Sequence, residues 1–149
     1  MAEKNAILFV CVANSARSQL AEGLARHLLG ENAEIESAGS QPSKLNPFAV
    51  QALQEVGIDI SKQYSKSIDD LSPRFVMKLD YVITLCSEEV CPIFICKAKR
   101  LHWPFADPAS KGGTLDEQLQ RFREARDGIK MKLEEFRTAL IKSGSLSVI

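Results

Sequence analysis

Apolar residues run without a break from Ala6 to Val10, and the period then changes: Leu20, Leu24 and Leu28 recur every fourth residue until Gly30. The first pattern predicts a strand covered on both faces, as in the middle of a parallel sheet. The second predicts an amphipathic helix over Gln19 to Leu29 with Gly30 at its C-cap. From Ala33 to Ser37 the chain alternates, Glu34 and Glu36 to one side and Ala33 and Ile35 to the other. That predicts a half-exposed second strand, followed by a turn at Ala38-Gly39-Ser40. Asn46 before Pro47 is a helix start, with Leu45 placed to staple onto Val50, and Gly57 is its stop. Ser67 with Asp70, and Ser72 before Pro73, open two more short turns. Tyr81 to Leu85 reads as a third strand and Arg100 to Trp103 as a fourth. The last helix opens on a capping box, Thr114 with Glu117. Leu115, Leu119, Phe122, Ile129, Leu133, Phe136 and Leu140 then form a stripe that predicts a helix laid on the sheet.

Strands alternating with helices imply an α/β fold with a doubly wound open sheet, whose ligands bind beyond the carboxyl ends of the strands. With 149 residues the chain fits a single domain over 1–149, and 143–149 is expected to be a flexible tail. Lys plus Arg equals Asp plus Glu, 19 each, with no long run of one sign, so neither nucleic acid nor an anionic membrane is an expected partner. No stretch has a signal-peptide layout or the length to span a bilayer, so a cytoplasmic protein is expected. Its four cysteines are then expected to be mostly reduced: metal ligands, catalytic thiols or packing residues.

Cys11-Val12-Ala13-Asn14-Ser15-Ala16-Arg17-Ser18 lies where the first strand meets the first helix. A loop of backbone N–H groups opening a helix, with an Arg at its rim, stabilises a thiolate and also cradles a tetrahedral oxyanion. The loop can supply both the attacking sulfur and the cup, whereas a buried structural Cys with a chance Arg is the plainer alternative. Cys11 after the first strand and Cys86 after the third belong on one rim of the sheet. Cys86 and Cys91 would be about 7.5 Å apart along a regular helix, against roughly 4.4–6.8 Å between the α-carbons of a disulfide, so bridging them requires the turn to unwind. Pro92 favours that by disfavouring helical dihedrals at Cys91. Three readings of the cluster stand here: packing, a zinc site using Cys86, Cys91, Cys96 and His102, or a thiol relay with Cys11. His27 reads as an exposed helix residue and His102 as strand packing beside Trp103.

Cys11-x5-Arg17-Ser18, the Ser37-Ala38-Gly39 turn, Leu101 to Ala109 with Asp107-Pro108, and Cys86 with Cys91-Pro92 together resemble the thioredoxin-coupled arsenate reductases built on the low-molecular-weight tyrosine phosphatase fold. The resemblance runs from about Ile7 to the final helix. It implies a three-layer, four-stranded parallel sheet with helices on both faces. It also implies arsenate reduction by Cys11, Arg17, Asp107, Cys86 and Cys91, with the amides of Val12 to Ser18 binding the oxyanion, phosphate and sulfate competing. Ser18 would bond the Cys11 thiolate and Asn14 would hold the loop. Cys86 would attack the Cys11 adduct, and Cys91 would then form a Cys86–Cys91 disulfide for thioredoxin, or a similar thiol donor, to reduce. No cofactor or metal is implied, and a monomer is expected.

Some positions depart from that pattern. Ala13 stands where the loop often has Gly, and since a positive φ there would cost about 1 kcal/mol or more, the loop is expected to avoid it. Ala16 stands where a Cys is common, the Cys86 to Cys91 spacing is two residues short, and Cys96 has no usual counterpart. Members that bind a monovalent cation do so through an Asn, a Glu, a Ser and an Asp; Asn14, Glu22 and Ser37 match, but Lys66 takes the fourth place, and its ammonium is expected to replace the cation. The alternative function is a low-molecular-weight protein tyrosine phosphatase, against which Ala109-Ser110 replace the expected aromatics after Asp107-Pro108. A zinc-binding or redox-sensing module is the non-enzymatic alternative, and weak phosphatase activity fits either enzyme.

Overall fold

A computed structural model describes residues 5–87 and 97–144. Its four strands are β1 (Asn5–Cys11), β2 (Ala33–Gly39), β3 (Tyr81–Thr84) and β4 (Lys99–His102). They form one wholly parallel sheet in the order β2-β1-β3-β4. The helices are α1 (Arg17–Leu29), α2 (Pro47–Gln54), α3 (Pro73–Met77) and α4 (Leu115–Lys142), with 3₁₀ turns at Gly30–Asn32 and Ile68–Asp70.

The unbroken apolar run does what a central parallel strand requires, since both of its faces are covered. Ile7 and Phe9 point into a core shared with α1, α2 and α4, where Leu20, Leu24, Leu53, Phe122, Ile129 and Leu133 are fully or almost fully buried. Ala6, Leu8 and Val10 point the other way, into a smaller core closed by Leu71, Phe75 and Leu79 beside α3. Three layers result, one of them thin, because α3 has only five residues. In the α4 layer Trp103 stands between Phe9 and Phe136, with ring centroids 6.3 and 5.7 Å away, and Phe136 also meets Tyr81 edge-on at 5.0 Å. This ladder fixes α4 across β1, β3 and the end of β4.

Boundaries differ from expectation in ways the hydrogen bonds explain. β2 continues through Ala38 and Gly39, the residues read as a turn, because Gly39 pairs with Cys11 on one side and bridges Ser67 on the other. In α1 it is Leu29, 1% exposed, that enters the core, while Leu28 is half-buried. Asn46 caps α2 through Phe48 N–H, and the helix ends in a Schellman arrangement: Ile58 N–H reaches Leu53 O and Gly57 N–H reaches Gln54 O, with Gly57 at φ 81°. The boxes at Ser67/Asp70 and Thr114/Glu117 are both formed. His102 is exposed, its Nδ1 2.7 Å from Thr84 Oγ1, rather than packed beside the buried Trp103. Of the expected tail, Ser143 and Gly144 follow α4 as a turn, and 145–149 lie outside the described residues.

One ion cluster ties α2 to α4. Glu55 accepts from Arg123 Nη2 at 2.7 Å and from Arg126 Nη1 at 2.9 Å, and Arg126 Nη1 also donates to Ala52 O at 2.8 Å. The Arg123 hydrogen bond, seconded by Arg126, lowers the Glu55 carboxyl from 4.5 to about 2. A folded-state value below the unfolded one means the stabilisation is fully present above pH 4.5 and is lost as pH falls toward 2. Glu55→Gln is therefore expected to lower the melting temperature at neutral pH and to flatten its decline between pH 4.5 and 2; a decline of unchanged steepness would assign the acid sensitivity elsewhere.

Candidate active site

The loop from Cys11 to Ser18 joins the last residue of β1 to the first turn of α1. Its carbonyls are turned outward onto the next segment of chain: Val12 O accepts from Gln41 N–H at 2.9 Å, Ala13 O from Ser43 at 3.0 Å and Ser15 O from Asn46 at 3.0 Å. In a trans peptide the N–H points opposite to the C=O, so the amides of Ala13, Asn14 and Ala16 are turned to the inner side of the loop. The N-cap residue of α1, Ala16, has no side chain able to cap the helix, and the positive end of the helix dipole faces that cup.

Asn14 holds the shape. It is wholly buried and is the only non-glycine residue at positive φ, 48°, among the described residues. Asn tolerates that conformation where Ala does not, and Ala13 is spared it as expected. Its main-chain carbonyl accepts from Gln19 Nε2 at 2.9 Å and Ser65 Oγ at 2.5 Å. Its side-chain oxygen accepts from Lys66 N–H at 2.9 Å, which can only donate, so the amide orientation is set and the NH₂ faces Ser18 Oγ at 2.8 Å and Ser37 Oγ at 2.9 Å. Ser37, having accepted from Asn14, donates to Glu22 Oε1 at 2.6 Å, and Ser18 Oγ lies 2.8 Å from Cys11 Sγ, within hydrogen-bond reach of the sulfur. Cys11 is 2% exposed and is a free thiol.

Arg17 and Cys86 meet at the neighbouring strand end. Arg17, 4% exposed, donates through Nη1 to Phe105 O at 2.9 Å and to Leu85 O at 3.4 Å. Leu85 immediately precedes Cys86, and its N–H pairs with Val10 O at 3.0 Å, so β1 and β3 deliver Cys11 and Cys86 to adjacent positions on one rim. Cys86 is 1% exposed and takes part in a disulfide, while Cys11 does not. Cys91, Pro92 and Cys96 lie outside the described residues. Zinc would need Cys86 as a thiolate, and in this state Cys86 is oxidised. Asp107, two residues past Phe105, opens a turn: its Oδ1 accepts from Ala109 N–H at 2.9 Å and its carbonyl from Ser110. The turn-opener reading of Asp107 and the acid reading are thus compatible.

Lys66 sits beneath the loop, 8% exposed, with its ammonium 3.9 Å from Glu22 Oε1, 3.8 Å from Glu36 Oε2 and 4.9 Å above the Tyr64 ring. Arg26 braces Glu22 from the other side at 3.1 Å. Positive charge is thus built into the chain beside Glu22. Potassium and sodium chloride at equal ionic strength are expected to give the same melting temperature and the same rate of Cys11 alkylation; a potassium-specific rise in stability would mean that a cation still binds here.

The braces beneath the loop were invisible in sequence. Gln19 bonds its near neighbour Asn14 O, while its bond to Tyr64 O, the bond of Gln63 to Gln19 and that of Ser65 to Asn14 O join residues 44 to 51 positions apart. Gly39 carried one sequence signal, its place after Ser37 and Ala38. A Cβ there would lie 2.3 Å from Val12 O, 2.9 Å from Cys11 O and 3.0 Å from Asn14 N, so the loop rests directly on this glycine.

Residues 6–146 match the low molecular weight phosphotyrosine protein phosphatase family. An arsenate reductase of Bacillus subtilis is 44% identical over 136 residues, covering 90% of this chain and 96% of the relative. A solved arsenate reductase in a phosphate-binding state superposes with a TM-score of 0.71 at 32% identity, over 91% of this chain and 96% of that one. A thioredoxin-dependent arsenate reductase of Corynebacterium glutamicum also reaches 0.71, at 28% identity, over 95% of this chain and 64% of that one.

Proposed function

The chain belongs to the low molecular weight phosphotyrosine protein phosphatase family, and we infer that it is an arsenate reductase working by a three-thiol relay. The observation that carries this is the second redox cysteine: Cys86, one peptide past the carbonyl that accepts from Arg17, on the rim that also holds Cys11. A hydrolytic phosphatase has no use for it.

The steps follow from the cup. Arsenate binds to the inward amides and the Arg17 guanidinium, and the Cys11 thiolate attacks arsenic while Asp107 protonates the departing oxygen as water. Cys86 as thiolate then attacks Cys11 Sγ. The pair of electrons in the sulfur–arsenic bond passes to arsenic, As(V) becomes As(III), and arsenite leaves behind a Cys11–Cys86 disulfide. The Ser18 hydroxyl and the loop dipoles make Cys11 a good leaving group for the next exchange, in which Cys91 attacks Cys86 and restores the Cys11 thiolate. Two thiols supply the two electrons. The arrangement with Cys86 in a disulfide and Cys11 free corresponds to the state that a thioredoxin-like dithiol would reduce.

Among the described residues no helix is long and apolar enough to cross a membrane. A cytoplasmic location fits, because the relay must be returned to thiols by a reducing pool. Arsenate reduction followed through NADPH oxidation with thioredoxin and thioredoxin reductase, beside an arm with glutaredoxin and glutathione, is the test. Turnover in the thioredoxin arm is expected; turnover only with glutathione would overturn the three-thiol scheme. Slow hydrolysis of p-nitrophenyl phosphate is expected from the same cup.

A further inference from the structure

The segment that carries Asp107 has no regular secondary structure, yet it is fastened to α4 on both sides of that residue. Upstream, the Phe105 ring rests on Gly128 of α4 so closely that a Cβ at Gly128 would lie 2.8 Å from its Cε1. Downstream, Arg121 gathers three carbonyls of the following turn, donating from Nε to Pro108 O at 3.3 Å and from Nη2 to Lys111 O and to Gly112 O, the latter at 2.6 Å. Arg121 stands two turns inside α4, and side chains on a helix lean toward its N-terminus, so the guanidinium reaches back over the loop that leads to Thr114. A rigid fork with five donors can hold several carbonyls in a fixed relation as no other side chain can. Beside it Phe105, Asp107, Ser110, Lys111, Arg121 and Glu124 line a cleft of about 280 Å³.

We propose that Arg121 is a positioning residue for the acid step: it fixes the Pro108–Gly112 turn against α4 and thereby aims Asp107 at the oxygen leaving arsenic. The inference rests on the reading of Asp107 as the acid. Arg121 reaches the backbone after Asp107, and its bonds are to carbonyls, so its removal leaves the oxyanion cup and its Arg17 contacts in place. The effect belongs in kcat rather than in KM for arsenate. A general acid contributes roughly a hundredfold or more when well placed, and a displacement of the order of 1 Å forfeits much of that.

The test is a double-mutant cycle on the full-length enzyme with arsenate as substrate. Arg121→Ala is expected to lower kcat roughly tenfold or more with KM little changed. Arg121→Lys, able to hold only part of the turn, is expected to fall between Arg121→Ala and the parent. In the Asp107→Asn background, which keeps the acceptor for Ala109 N–H, Arg121→Ala is expected to cost nothing further. Full loss in Asp107→Asn with no loss in Arg121→Ala, or losses that multiply in the double variant, would overturn the positioning role alone. Undiminished turnover in Asp107→Asn would instead overturn the acid reading itself. Melting curves accompany each variant, and a drop in kcat at an unchanged melting temperature excludes a merely structural effect.

Discussion

Cys86→Ser is expected to abolish arsenate turnover, by more than about a thousandfold, while hydrolysis of p-nitrophenyl phosphate survives. The reason is the difference between the two reactions after the first step. A phosphoryl group on Cys11 is released by water, and the groups that bind it, the loop amides and Arg17, do not involve Cys86. An arsenic adduct on Cys11 has to be reduced, and only a second sulfur can take the place of the arsenic and return the electron pair; a serine hydroxyl cannot. Cys91→Ser separates the steps further. It is expected to release one arsenite per protein and then stop, because Cys86 can still attack Cys11 but the thiol assigned to resolve the disulfide that forms has been removed. Rapid-quench measurement of arsenite, together with the hydrolysis rate, reads both variants. Sustained turnover in either would show that the relay does not pass through these thiols.

Gly39→Ala is expected to cost about a hundredfold or more in activity, with both reductase and phosphatase reactions reduced alike. All three atoms that a Cβ would meet belong to the backbone of the loop, at 2.3, 2.9 and 3.0 Å, so no side chain can swing away to make room. The glycine is not at positive φ, so the substitution carries no dihedral penalty and the whole effect comes from close approach. Relief requires either the loop to rise or the Cys11–Gly39 pairing to open, and both move Cys11 relative to Ser18 and Arg17. Overpacking of this kind typically costs about 1–3 kcal/mol of stability. Kinetics in both assays, with thermal melts, test it; a variant with unimpaired activity would mean that the loop can shift without losing its cup.

The two expected effects differ in how readable they were. Cys86 declared itself by type and by its place after a strand. Gly39 was legible only as a member of a turn, and the structure makes it the end of β2, pressed against the loop by pairing on both sides. Asn14 lies between these cases. Its type suited a strained loop position, but its part as a junction between Ser18, Ser37 and Lys66 depends on residues 4, 23 and 52 positions away. Arg121 offered no signal at all, since an Arg on the polar side of a long amphipathic helix reads as solvated surface.

By itself the sequence determined the alternation of strands and helices, the buried character of β1, the caps of α2 and α4, and the chemical identity of the cup and its thiols. These are consequences of local patterning: period, turn chemistry and side-chain type act within a few residues. The order β2-β1-β3-β4, the approach of Gly39, the network from Cys11 through Asn14 to Glu22 and the clamp of Arg121 on the acid's turn were decided only by tertiary structure. Each depends on which groups, distant in sequence, the packing of the sheet and its helices brings into contact, and that is a property of the packed chain.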